Sequence, residues 1–395
     1  MKILMIHNHY QQYGGEDAVA KAEYSLVSRY GHEVYFYERS NKEIKNLSPL
    51  ERIKSFLNLS WSDKTYSEVR AIIQKFCPDV VHVYNAFFMV TPSVYFACRD
   101  EGVAVVQSLY NFRWLCANAV FLRKGKFCSE CMYYSRWRSV LHGCYRNSSL
   151  LTAVIVKMLN NHWKKKTWIN LIDGYITATE FSRRKFIESG IAPEKIIVKP
   201  HFIDPDPKAR NVCGNYALYI GRISEEKGIR VLLDAWASLS DLPLKIIGVG
   251  PLLSEIKKMI KEKNMNHVEI LGYCSDEECA KYLNRAKFVV VPSVGYDNFP
   301  RAIVEAYAVG VPVLASSREG IKEYIKETFT GVIFNTGDAK DLVQKARWFQ
   351  QNNDVAILEM GRNARLEYEE KYTAQKNFEY LNNIYQMAIE NYKKR

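Results

Sequence analysis

The sequence has no uninterrupted apolar run near the roughly 18 residues that a membrane-spanning helix needs, so no segment is expected to cross a bilayer. It has no low-complexity tract and no short internal repeat. Its opening stretch, MKILMIHNHY, carries too little apolar length for a signal peptide and reads as a first strand. A cytosolic protein is the expectation. In that compartment its nine cysteines are core thiols or metal ligands rather than disulfides. Acid is missing altogether from residues 133–172. There Arg136, Arg138, Arg146, Lys157, Lys164, Lys165 and Lys166 are interleaved with Trp137, Trp163 and Trp168.

What is present reads as globular. Hydrophobic residues make up 48% and charged residues 25%, which separates the chain from disordered sequences. At 395 residues it is too long for one ordinary core, and two domains are expected. Lys and Arg number 55 against 43 acids, a net charge of +12. That excess favours a polyanionic partner: phosphates, a nucleic acid or an anionic membrane surface.

Short β-branched runs alternate with amphipathic segments. Strands are expected over 2–7, 34–38, 80–83, 104–108, 174–178 and 196–199, then over 216–220, 244–247, 268–271, 288–291 and 311–315. Helical patterns such as 16–29 and 228–239 lie between them. The alternation implies an α/β chain with parallel sheets covered on both faces. Residues 199–216, KPHFIDPDPKARNVCGNY, hold three prolines and read as the linker. The expected division is 1–203, 204–372 and a C-terminal helix over 373–395. Phe378, Leu381, Tyr385 and Ala388 share one face of that helix, which is expected to cross back to the first domain. Two such domains would face each other across a cleft, with ligands at the carboxyl ends of their strands.

Three constellations could carry chemistry. In YGGEDAVA, Gly14 and Gly15 sit between a strand and a helix, where a backbone can approach an anion; a plain turn is the other reading. In YIGRISEEKG, Gly221 turns the chain after a buried strand, and Arg222 and Lys227 follow it. A guanidinium and an ammonium placed there can clamp a diphosphate; two solvated surface cations are the alternative. In YDNFPRAIVEAYAVG, a helix begins with Pro300 in its first turn. Asp297 precedes it, and Glu305 stands on an otherwise apolar face. A lone buried carboxylate is costly unless it is paired or accepts hydrogen bonds, and it suits the two hydroxyls of a ribose. An ordinary N-terminal acid and a structural Glu are the plainer reading.

The second half carries GRISEEKG, IIGVGPL, LGYCSDEE, VPSVGYDNFPRAIVEAYAVGVPVLAS and GVIF in that order. It resembles the retaining glycosyltransferases of family 4, which have the GT-B fold: two Rossmann-like domains facing across a central cleft. HYQQYGGEDAVA and VVQSLYNFRWLCANAVFLRKGKFCSEC resemble a polysaccharide-assembly branch of that family. The resemblance implies transfer of a sugar, with retention, from a nucleotide diphosphate sugar of UDP or GDP type to a glycan hydroxyl. It implies that Arg222 and Lys227 bind the diphosphate and Glu305 the ribose. Asp297 would lie near the sugar hydroxyls, and Asn298, Phe299 and Arg301 at the phosphate end of the helix. Gly15, beside Gly14, would meet the diphosphate from the opposite domain. Gly221, Gly250 and Tyr273 would border the donor. Two positions depart from the pattern: Asp297 stands where the family usually has Glu, and Tyr110 where the branch usually has a His near the transferred sugar. Tyr donates a hydrogen bond but is a poor base near neutral pH. No Asp-x-Asp motif stands near the donor residues, and no catalytic metal or other cofactor is expected.

Cys116, Cys128, Cys131 and Cys144, spaced C-x11-C-x2-C-x12-C, suit a structural zinc site, with His142 as a substitute ligand. Four buried thiols, or a disulfide under oxidation, are the other reading. The acid-free stretch SLLTAVIVKMLNNHWKKKTW has an apolar body and a basic aromatic end. It suits an anionic membrane interface, and with it a lipid-linked acceptor and a peripheral place on the inner face of the plasma membrane. A buried helix with a solvated end is the alternative. Three further readings stand beside the transferase: a catalytically weakened subunit supporting a partner, a nucleotide-sugar epimerase, and a nucleic-acid binder. The last rests on charge alone, with no accompanying motif, and no nucleic acid is expected as a partner.

Overall fold

Aliphatic runs with both faces covered build two parallel sheets. The computed structural model describes residues 1–11, 14–296 and 300–395. Its strands are β1 (Lys2–His9), β2 (Glu33–Ser40), β3 (Val80–Asn85), β4 (Ala104–Ser108), β5 (Leu122–Arg123), β6 (Lys126–Phe127), β7 (Gly174–Thr177), β8 (Ile196–Val198), β9 (Tyr216–Ile220), β10 (Leu244–Ile247), β11 (Val268–Gly272), β12 (Ala286–Val291), β13 (Val313–Ser316) and β14 (Gly331–Phe334). Each of the eleven expected strands is present. The sequence pattern missed the short antiparallel hairpin β5–β6 and the edge strand β14.

The chain divides into two compact units. The first holds Met1–Ala119, Cys128–Lys199 and Phe378–Arg395. Its sheet runs β2-β1-β3-β4-β7-β8, all parallel. Ile3, Met5, Val80, Ala104, Val106 and Ile176 line the core on one face. Leu381, Ile384, Tyr385 and Ala388 of the last helix, Ala374–Lys393, close over them. The Tyr385 hydroxyl meets His82 Nδ1 at 2.9 Å, and Ser108 Oγ meets Nε2 at 2.9 Å, so a buried imidazole is satisfied on both sides. Gly174 leaves room for this helix: a Cβ there would stand 3.3 Å from the Ala388 methyl.

The second unit holds Val120–Phe127 and Pro200–Asn377. Its sheet runs β11-β10-β9-β12-β13-β14, again parallel. Its core gathers Ile229, Leu232, Leu233 and Trp236 with Ile246, Phe288 and Phe349. The connector from residue 200 is held to this unit. Arg365 grips Asp206 through both carboxylate oxygens, at 2.7 and 2.9 Å, and Arg210 Nε donates to the Gly310 carbonyl at 3.0 Å.

The basic aromatic segment differs from the membrane-lying expectation. The helix Ser149–Lys164 buries Thr152, Ile155, Val156, Met158, Leu159 and His162, so its apolar body belongs to the core of the first unit. Trp163 donates to the Trp114 carbonyl at 2.9 Å, and Trp168 stacks on Trp114. A different helix is left uncovered. Pro49–Leu57 buries none of its residues, and Leu50, Ile53 and Leu57 are 73%, 57% and 61% exposed. Among the described residues no helix is long and apolar enough to cross a membrane.

Candidate functional site

In the second sheet the strand order reverses between β9 and β12, and ligands of such sheets bind outside the carboxyl ends of the strands at that point. The loops leaving β9, β10 and β12 meet there. Ile223 donates to the Val249 carbonyl at 3.0 Å, and Gly221 to that of Ile247 at 3.0 Å. Val294 and Gly295 both donate to the Glu226 carbonyl, at 3.0 and 2.9 Å. Glycine is required by contact here. A Cβ on Gly250 would fall 2.2 Å from the Ile223 carbonyl oxygen, and one on Gly248 1.9 Å from that of Gly221. The GRISEEKG and GVG segments are therefore two interlocked walls of one rim.

Arg222 is exposed on this rim, and Lys227 is half-buried in the short 3-10 turn Glu225–Lys227. The Tyr219 hydroxyl holds the Arg222 carbonyl at 2.7 Å and fixes the backbone that presents the guanidinium. Tyr273 follows β11 and is 78% exposed. Pro300 caps the helix Arg301–Ala308 rather than lying inside its first turn. Arg301 does not point free along the helix end: its Nε pairs with Glu305, one turn on, at 3.1 Å. Glu305 is 19% exposed. Burial raises its pKa; Arg301 opposes the rise and Asp276 adds to it. The same carboxylate, after burial itself, helps push the Cys279 thiol up to about 12. Asp297, Asn298 and Phe299 lie outside the described residues.

The hairpin β5–β6 belongs to this unit although it comes from the first half of the chain. Phe127 packs edge-on to Tyr296 at 4.7 Å, and Arg318 lies over the same Tyr296 ring at 5.1 Å. A Cβ on Gly125 would touch the Glu225 carboxylate at 3.5 Å. Sequence reasoning missed this element because two-residue strands show no periodicity. The basic, glycine-centred LRKGKF was its only signal.

In the first unit, Gly14 caps the helix Gly15–Arg29, and its N–H donates to Asp17 Oδ2 at 2.8 Å. Nothing lies within 4 Å of a Cβ built on Gly15, so the protein itself does not demand glycine there. Tyr110 is half-buried, and its hydroxyl donates to Glu23 Oε1 at 3.3 Å. Burial, then the Glu23 charge, hold its phenol well above the ordinary tyrosine value. Glu23 also takes Lys199 Nζ at 2.5 Å and the Tyr84 hydroxyl at 2.8 Å.

Cys116 and Cys131 meet, and the hydrogen bond from Cys116 leads the causes that lower the Cys131 thiol to about 6. Cys128 and Cys144 are half-buried. Among the described residues no three of these cysteines bring their sulfurs within mutual ligand reach. The triplet Asp204-Pro205-Asp206 is an Asp-x-Asp sequence, but it lies in the connector, and Asp206 is engaged by Arg365.

Residues 203–381 match the family of group 1 glycosyl transferases. The fold is GT-B. The chain is 30% identical over 203 residues to the amylovoran biosynthesis glycosyltransferase AmsK of Erwinia amylovora, covering 47% of this chain and 50% of that protein. It spans about half the length of the curated relatives it matches. Solved GT-B structures superpose along nearly the whole chain. Anabaena HepE in complex with UDP and glucose gives a TM-score of 0.68 at 15% identity, over 97% of this chain and 98% of that one. Sucrose-phosphate synthase from Thermosynechococcus elongatus gives 0.71 at 16% identity, over 98% of each.

Proposed function

We propose that the chain is a retaining glycosyltransferase of family 4. It moves a sugar from a nucleotide diphosphate sugar to a hydroxyl of a glycan on a lipid carrier, at an anionic membrane surface. The observation that carries this reading is the rim at the strand-order reversal. There Arg222, Lys227, the interlocked glycine turns and the Glu305 helix share one edge of the second sheet.

In this reading Arg222 and Lys227 hold the diphosphate and meet the negative charge that develops as it departs. Glu305 takes the ribose hydroxyls. Gly250 and Gly221 set the wall beside the nucleoside, with Tyr273 at its border. The roles at the sugar hydroxyls and at the phosphate end are assigned to Asp297 and to Asn298 and Phe299, respectively. The open position at Gly15 leaves backbone approachable by a phosphate. Tyr110 serves as a hydrogen-bond donor, and the leaving diphosphate helps deprotonate the incoming hydroxyl. The relatives' polysaccharide titles support a glycan acceptor, and the UDP bound by HepE supports a UDP-type donor.

Membrane contact centres on the uncovered helix Pro49–Leu57, with basic side chains of the 149–168 segment beside it. Leu57, Trp61, Trp137, Lys157 and Lys164 line one shallow groove in the first unit. Apolar side chains ringed by cations suit an anionic lipid surface.

The experiment is a thermal-shift panel of UDP, GDP, ADP and their sugar conjugates. One nucleotide is expected to raise the melting temperature by mass action, and the shift is expected to vanish in Arg222→Ala. A folded chain that responds to none of them would overturn the transferase reading in favour of a partner-supporting subunit.

A further inference from the structure

β1 carries histidines at alternate positions, so His7 and His9 project to the same side of the strand. The helix Gly15–Arg29 brings Asp17 onto them. His7 Nε2 lies 2.8 Å, and His9 Nδ1 3.0 Å, from one and the same oxygen, Asp17 Oδ1. The three ligand atoms lie within 4.8 Å of one another, and this is the only such group among the described residues. The two rings stand at 89°, so their nitrogens reach the oxygen from different directions. His7 and Asp17 are buried, whereas His9 is 28% exposed, which leaves one side of the group open.

His9 and Asp17 have the outer contacts that a metal site needs. His9 Nε2 lies 2.7 Å from Glu38 Oε1, which orients the ring and leaves Nδ1 to the interior. Asp17 Oδ2 is anchored by the Gly14 N–H. His9 faces a carboxylate oxygen at each nitrogen. His7 Nδ1 is buried with no hydrogen-bond partner. We propose that His7 Nε2, His9 Nδ1 and Asp17 Oδ1 bind one divalent transition-metal ion of the zinc type, with the open side left to water or an anionic oxygen. Binding releases the Nδ1 proton of His9 to solvent, and the Nε2–H stays on Glu38. The Nε2 proton of His7 moves to Nδ1. Tetrahedral ligands about 2.0–2.2 Å from zinc stand roughly 3.4 Å apart, so the two histidine-to-carboxylate spacings, 2.8 and 3.0 Å, need to open by about half an ångström. The imidazole-and-carboxylate set suits zinc, and the ion would place positive charge beside the Gly14–Gly15 turn.

The test is a cobalt(II) titration of the reduced, full-length chain after chelator treatment. One cobalt per chain is expected, with visible ligand-field absorption, no thiolate-to-metal charge transfer, and displacement by zinc. His9→Gln is expected to abolish uptake. Glu38→Gln, at a half-exposed position, is expected to weaken it about 10–100-fold with the melting temperature kept. No uptake by folded protein, uptake carrying thiolate absorption, or uptake unchanged in both variants would each overturn the proposal.

Discussion

A Cβ placed on Gly228 would stand 1.9 Å from the carbonyl oxygen of Pro292. Gly228 ends the GRISEEKG segment after β9, and Pro292 directly follows β12, so their contact stitches the two loops that flank the strand-order reversal. Gly228 also has φ +73°, in the left-handed region. Gly228→Ala is expected to lower stability by at least ~1–2 kcal/mol from the backbone alone, and to erase the nucleotide-induced thermal shift. Urea denaturation with and without UDP measures both. An unaltered midpoint would show that the loops part easily.

Glu305 gives a pH signature. Burial raises its folded pKa above the unfolded value, so its contribution to stability is complete below the unfolded value and is lost as pH rises through the raised one. Glu305→Gln is expected to melt no lower than the parent near neutral pH. The two curves should converge in acid, and the variant should fail to respond to nucleotide. A neutral-pH melting point well below the parent would mean that the Arg301 ion pair outweighs burial.

Lys199 and Glu23 are fully buried and meet at 2.5 Å. Removing one partner strands the other charge. Lys199→Met is expected to cost about 3–5 kcal/mol in chemical denaturation. Adding Glu23→Gln should return much of that loss. Equal stability of the single and double variants would show that the charge finds water instead.

The exposed face of Pro49–Leu57 predicts vesicle binding. Flotation is expected with anionic lipid and to fall sharply with neutral lipid. Leu50→Glu with Ile53→Glu should reduce it by about tenfold or more, since each apolar side chain buried in lipid contributes roughly 1.5–3 kcal/mol. Melting should not change, because neither side chain is covered in the folded protein.

Strands were legible because a doubly covered parallel sheet demands continuous aliphatic runs, as in Ile3–Ile6 or Val80 and Val81. The motif glycines were legible too, since Gly228, Gly248 and Gly250 stand where backbones nearly touch. Cysteine spacing measures distance along the chain and does not by itself show that Cys116 and Cys131 meet in the fold. The apolar pattern misled at Ser149–Lys164, because an apolar helix face looks alike whether the protein or a lipid covers it. The His7, His9 and Asp17 group combines a strand period with a helix position, and no single linear pattern spans both.

The placement of Val120–Phe127 has a practical consequence. The chain passes between units at residues 119/120, 127/128, 199/200 and 377/378. The half that carries the Arg222 rim, excised at the linker, therefore comes away without the hairpin that packs on Tyr296 and reaches Glu225. Chimeras that exchange this half between relatives would graft it under a foreign flap. Their donor preference would then be set jointly by both parents, and a swap that also carries residues 120–127 is the cleaner unit of exchange.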